Sequence, residues 1–167
     1  MNESFSVLFV CMGNICRSPT AHGVFREQIR LAGLSDRVRV SSAATHDYHP
    51  GEPPDPRSVK HAKDRGYDLS DLRARVLSPD DFRRADLVLV MDHDNLAIVN
   101  ERCPANEQHK VMRLVEFCRV HTVAAVPDPY FGGPDAFEEV LDLLEDACQG
   151  LLESVRLRLA SNLGRPA

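Results

Sequence analysis

"FVCMGNICRSP", residues 9–19, ends an apolar run by setting two cysteines, a glycine, an asparagine and an arginine ahead of a proline. The segment leading into it, "SVLFVC" (6–11), is β-branched and apolar without alternation, the pattern of a strand covered on both faces. Beyond it, Pro19 reads as the first helical residue behind Ser18, and Ala21, Val24, Phe25, Ile29 and Leu31 recur at helical spacing up to Gly33. A strand that runs straight into a helix N-terminus lets the backbone N–H groups of the turn converge where the helix dipole favours an anion. Gly13 permits a tight turn, Asn14 tolerates a left-handed backbone, and Arg17 brings a planar fork matched to two phosphate oxygens. The loop predicts a cradle for a tetrahedral dianion such as inorganic phosphate.

The same alternation continues outward. "VRVSSA" (38–43) reads as a second strand, followed by the proline-rich loop "HPGEPPDP" (49–56), a helix near 57–65 and a short turn region at "SPDDFRRA". "DLVLVMD" (86–92) reads as a buried strand, "NLAIVNERC" as a helix and "KVMRLVEF" (110–117) as a fourth, weaker strand. Residues 135–163 form a long amphipathic pattern carrying Phe137, Val140, Leu141, Leu144, Leu151, Leu152, Val155 and Leu159. Strands alternating with helices predict an α/β fold, a three-layer sandwich of a four-stranded parallel sheet with helices on both faces. Its ligand site belongs at the carboxyl ends of the strands. With 167 residues, the expectation is one domain spanning 1–167.

Composition narrows the function. Five cysteines, an odd number at irregular spacing, fit free thiols in a reducing compartment, and no apolar run is long enough to span a bilayer. A cytoplasmic protein is expected. A net charge of −5 without a basic stripe argues against nucleic acid and membrane surfaces as partners. A metal role for Cys11 with Cys16 finds no second Cys or His pair at ligand spacing, so neither metal nor cofactor is expected.

A cysteine in an anion cradle needs explaining, because a thiolate repels the dianion it faces. Attack on phosphorus explains it: helix N-termini and neighbouring arginines favour the thiolate form of such cysteines. Cys11 is therefore the candidate nucleophile and Arg17 its clamp. A proton donor for the leaving oxygen must come from elsewhere. Asp92 and Asp94 in "MDHDN" face the correct rim, Asp94 being also a natural helix N-cap. Asp128 in "VPDPYFGGP" lies in a stiff loop beside Tyr130 and Phe131, which suit a flat aryl group, and is the preferred acid.

With "VCMGNICRSPTA" near the start and "DPYFGG" far downstream, the chain resembles the low molecular weight protein tyrosine phosphatases. The likeness also covers "SSAATHDYHPGEPPDPRS", "LVLVMDHDN" and the terminal helix. It implies hydrolysis of phosphotyrosine through a cysteinyl-phosphate, with Cys11 as nucleophile and Arg17 and the amides of Met12 to Arg17, Gly13 and Cys16 among them, on the phosphate. Ser18 would stabilise the thiolate as leaving group, and Asp128 would serve as acid and then base. Asn14 and Ser42 would brace the cradle, Asp92 would support the cleft, and Met12, Ile15, Tyr48, Tyr130 and Phe131 would receive the phosphotyrosine ring. Tyrosine-phosphorylated proteins and a cognate tyrosine kinase are the implied partners.

Three positions depart from the family pattern: His22 where Glu is common, Leu72 where bacterial relatives often show His, and Phe131 in place of a second tyrosine. Arsenate reductases on this fold need further cysteines in a mid-chain segment, and residues 60–102 have none. Protein arginine phosphatases carry Thr where Ile15 stands. A silent phosphotyrosine-binding module fits poorly with Cys11, Arg17, Ser18 and Asp128 all present. A nearby thiol can capture an oxidised nucleophile, which gives Cys16 a redox role. His46, His49 and His61 read as solvated or capping residues.

Overall fold

The computed structural model describes residues 4–163. Strands β1 (Phe5–Cys11), β2 (Val38–Ala44), β3 (Leu87–Val90) and β4 (Val111–Arg113) form one parallel sheet in the order β2-β1-β3-β4. Helices α1 (Arg17–Leu31), α2 (Pro56–Asp64) and α5 (Pro134–Leu163) lie on one side. The short α3 (Pro79–Arg84) and α4 (His93–Arg102) cover the other.

Strand pleating divides the core. Phe5, Val7 and Phe9 of β1 meet Val24, Phe25 and Ile29 of α1 and the apolar stripe of α5, with Phe9 and Phe25 edge to face at 5.8 Å. Leu8 and Val10 point the other way, onto Phe82, Val99 and Cys103. The unbroken apolar run of β1 thus serves two cores. Close packing of α5 depends on Gly150: a Cβ there would lie well inside van der Waals contact of the Phe117 carbonyl oxygen.

Local differences from the sequence expectation have identifiable causes. Helix α1 starts at Arg17, two residues before Pro19, because a proline anywhere in the first turn costs no hydrogen bond. Leu31, at its last turn, is exposed. "SPDDFRRA" is a helix of one and a half turns, started by a reciprocal capping box between Ser78 and Asp81. The fourth strand ends at Arg113, and Leu114–Phe117 tightens into a 3-10 turn under α5. Asp92 caps α4, where Asp94 was expected; Asp94 lies in the first turn.

Because β1 pairs with β2 on one side and β3 on the other, the chain leaves β1 at a point where the sheet order reverses. The crevice at this switch point is the expected ligand position of an open α/β sheet. The loop 11–17 opens onto it.

Candidate active site

The loop owes its shape to Asn14, which has φ of 57° and is the one non-glycine described residue in the left-handed region. Gly13 has ordinary backbone angles and instead admits a neighbour: a Cβ there would stand 3.2 Å from the His49 ring. The turn wraps around the Cys11 sulfur. Its Sγ accepts from the amides of Asn14 (3.3 Å) and Ser18 (3.4 Å) and lies 3.0 Å from Ser18 Oγ. The Arg75 amide donates to Asn14 Oδ1, which fixes the orientation of that side chain. Asn14 Nδ2 then donates to Ser18 Oγ at 2.7 Å, leaving the hydroxyl proton of Ser18 to point at Sγ. Among the described residues, the amides of Gly13, Ile15, Cys16 and Arg17 find no protein acceptor.

Arg17 is 2% exposed. Its Nη1 donates to Asp92 Oδ2 at 2.6 Å and to the Val126 carbonyl at 3.1 Å, and its Nη2 lies 3.9 Å from Asp128 Oδ2. Burial opposes the guanidinium charge, but Cys11, Asp92 and Asp128 outweigh it and raise its basicity. One carboxylate, that of Asp92, does two jobs: Oδ1 caps α4 through the Asn95 amide at 2.7 Å while Oδ2 tethers the arginine. Asp128 comes from the loop between β4 and α5, where its Oδ1 accepts from the Tyr130 amide at 3.1 Å.

Between these groups is a cleft of about 240 Å³ lined by Cys11, Met12, Gly13, Ile15, Cys16 and Arg17 below, Tyr48 and His49 on one wall, and Asp128, Tyr130 and Phe131 on the other. The lining is mainly apolar above an anion cradle. Phe131 is 96% exposed, and Tyr130 meets it edge to face at 4.9 Å.

Most residues expected at the site therefore converge, with two corrections. Asn14 and Ser18 are sealed behind the loop, where they bond each other and the Cys11 sulfur. Ser42 makes no side-chain hydrogen bond to the cradle loop; its Oγ pairs with His22 Nδ1 at 3.1 Å, one helical turn beyond Ser18. His49 is no mere solvated residue: its ring lines the cleft while Nδ1 engages Glu52 at 2.8 Å. His46 stacks on Tyr48 at 4.9 Å, and His61 pairs with Glu138 and stacks on Phe137. No local pattern separates these histidines, because their partners are set by loop folding.

The other departures are also accommodated. Leu72 packs in a small apolar cluster with Ala62 and Leu69. Burial lowers the His22 imidazole to about 4, so it sits neutral in its bond with Ser42. Burial likewise pushes the Cys16 thiol up to about 12, and it stays protonated at neutral pH. Among the described residues, no three His, Cys, Asp or Glu side chains group as a metal site.

Residues 6–161 match the family model for the low molecular weight phosphotyrosine protein phosphatases. A low molecular weight phosphotyrosine protein phosphatase of Schizosaccharomyces pombe is 40% identical over 93% of this chain and 99% of its own. A low molecular weight protein-tyrosine-phosphatase of Streptomyces coelicolor is 41% identical over 92% of this chain and 94% of its own. The crystal structure of a protein tyrosine phosphatase from Entamoeba histolytica, with Hepes in its active site, superposes with a TM-score of 0.89 at 40% identity, covering 92% of this chain and 97% of that one. A thiol cradled at the sheet's switch point, with the whole fold around it shared, leaves one assignment: the chain belongs to the low molecular weight phosphotyrosine protein phosphatase family.

Proposed function

We propose that the protein hydrolyses phosphotyrosine in tyrosine-phosphorylated proteins by two phosphoryl transfers through Cys11. The observation that supports this most is the Cys11 sulfur, held by three donors at the base of a cleft whose far wall carries the Asp128 carboxyl. Arg17 has one nitrogen occupied by Asp92 and Val126, so its remaining edge serves two phosphate oxygens, and the loop amides take the rest. The Cys11 thiolate attacks phosphorus, the bond to the tyrosine oxygen breaks, and protonated Asp128 gives that oxygen its proton. Water then attacks the phosphocysteine and Asp128 takes up its proton. The thiolate departs toward the Ser18 hydroxyl, and inorganic phosphate leaves the cradle.

The aromatic lining of the cleft supports tyrosine as the carrier of the phosphate. Tyr48 and Tyr130 line the cleft on opposite walls and are suited to pack against an aryl ring. No described helix is long and apolar enough to cross a membrane, which is compatible with cytoplasmic phosphoprotein substrates. A panel of phosphotyrosine, phosphoserine and phosphoarginine peptides tests the assignment. Turnover of phosphotyrosine peptides alone is expected; preferential release of phosphate from phosphoarginine would overturn it.

A further inference from the structure

The Asp128 loop is tied to a residue outside it. Arg57, on the first turn of α2, sends its guanidinium across to the acid loop, where Nη2 donates to the Tyr130 carbonyl at 2.9 Å. The same group is gripped by Asp55, through Nε to Oδ1 at 3.1 Å and Nη2 to Oδ2 at 3.0 Å. Asp55 is buried, and its backbone amide donates to the Ile15 carbonyl of the phosphate loop at 2.8 Å. The guanidinium also lies over the rings of Tyr130, at 5.5 Å, and Phe137, at 4.7 Å. A continuous strut therefore runs from the cradle, through Asp55 and Arg57, to the peptide of Tyr130.

That peptide matters on both its sides. Its carbonyl is held by Arg57, while its N–H donates to Asp128 Oδ1 and turns Oδ2 toward Arg17 and the cleft. We propose that Arg57 is a positioning residue for the general acid, tying the Asp128 loop to the phosphate loop so that Oδ2 stands over the leaving oxygen. A planar fork can bond Asp55 and the Tyr130 carbonyl together and stack on two rings; the point charge of a lysine cannot. The inference rests on the reading of Asp128 as the acid.

The experiment compares kcat/KM, which reports the step where the leaving group departs, for phosphotyrosine and for 4-nitrophenyl phosphate. Arg57→Ala and Arg57→Lys are measured alone and combined with Asp128→Asn. Asp128→Asn is expected to slow phosphotyrosine far more than the activated ester. Arg57→Ala should reproduce this bias, lowering phosphotyrosine kcat/KM about tenfold or more and the activated ester less than threefold, with Arg57→Lys close behind. In the Asp128→Asn background the Arg57 substitutions should add no further bias. Inhibition by inorganic phosphate, read in each variant, should remain within twofold of the parent and report an intact cradle. Equal slowing of both esters by Arg57→Ala and Arg57→Lys, or a bias that persists without Asp128, would overturn the positioning role while leaving Asp128 as the acid. Absence of bias in Asp128→Asn itself would overturn both.

Discussion

Asp92 joins two elements with one carboxylate, and substitutions can separate its two bonds. In Asp92→Asn the side-chain oxygen still caps α4 through Asn95, since asparagine is as good an N-cap as aspartate. The amide nitrogen, however, now faces Arg17 Nη1, donor against donor, in place of the 2.6 Å charge-assisted bond. Removing one partner of a fully buried pair costs about 3–5 kcal/mol. The Asp92 side chain is 25% exposed, so water recovers part of this, and about 2 kcal/mol is the expected loss, within the range for hydrogen bonds to charged groups. Asp92→Ala loses the cap as well, about 1 kcal/mol more. With a urea slope of about 2 kcal/mol/M, the midpoint should fall by about 1 M for Asn and about 1.5 M for Ala. Urea unfolding followed by circular dichroism measures both. An Asp92→Asn midpoint equal to that of the parent, or Asn and Ala falling together, would refute the division of labour.

Other perturbations probe different parts of the molecule. His22 has a folded pKa of about 4 against 6.5 unfolded, so the unfolded chain binds the proton first and stability falls as pH drops from 6.5 toward 4, by about 3 kcal/mol from this residue. His22→Gln, which keeps a bond to Ser42 without titrating, should flatten urea stability over that pH window. Gly150→Ala should destabilise by about 3 kcal/mol despite the better helix propensity of alanine, because the new methyl overlaps the Phe117 carbonyl; a raised melting temperature would contradict the packing. Cys16 shares the loop with Cys11, so recovery by dithiothreitol after peroxide should be lost in Cys16→Ser. Equal recovery in that variant would remove its protective role.

The opening loop was legible because its signals are local: an apolar strand, a residue suited to a left-handed backbone and a helix start lie within one short stretch, and Asn14 takes the expected conformation. The four parallel strands followed from apolar runs separated by helical patterns. Helix α3 escaped because six residues are too few for periodicity, though the Ser78–Asp81 spacing was a usable capping signal. The short β4 read too long because the buried residues of its following turn, Leu114 and Val115, extend the apolar run. Contacts across the fold were hidden for a different reason. Arg57 and Tyr130 are 73 positions apart, and His22 meets Ser42 across a helix and a strand, so neither pairing leaves a mark on the neighbouring sequence.

In the proposed reaction the phosphoryl group passes through the Cys11 sulfur. Rapid mixing of the protein with a radiolabelled phosphotyrosine peptide, followed by acid quenching and peptide mapping, tests it directly. Transient label is expected on the peptide containing Cys11, lost in Cys11→Ser and longer-lived in Ser18→Ala, where the departing thiolate lacks its hydroxyl partner. Turnover at the full rate with no labelled protein, or label on any other residue, would contradict it.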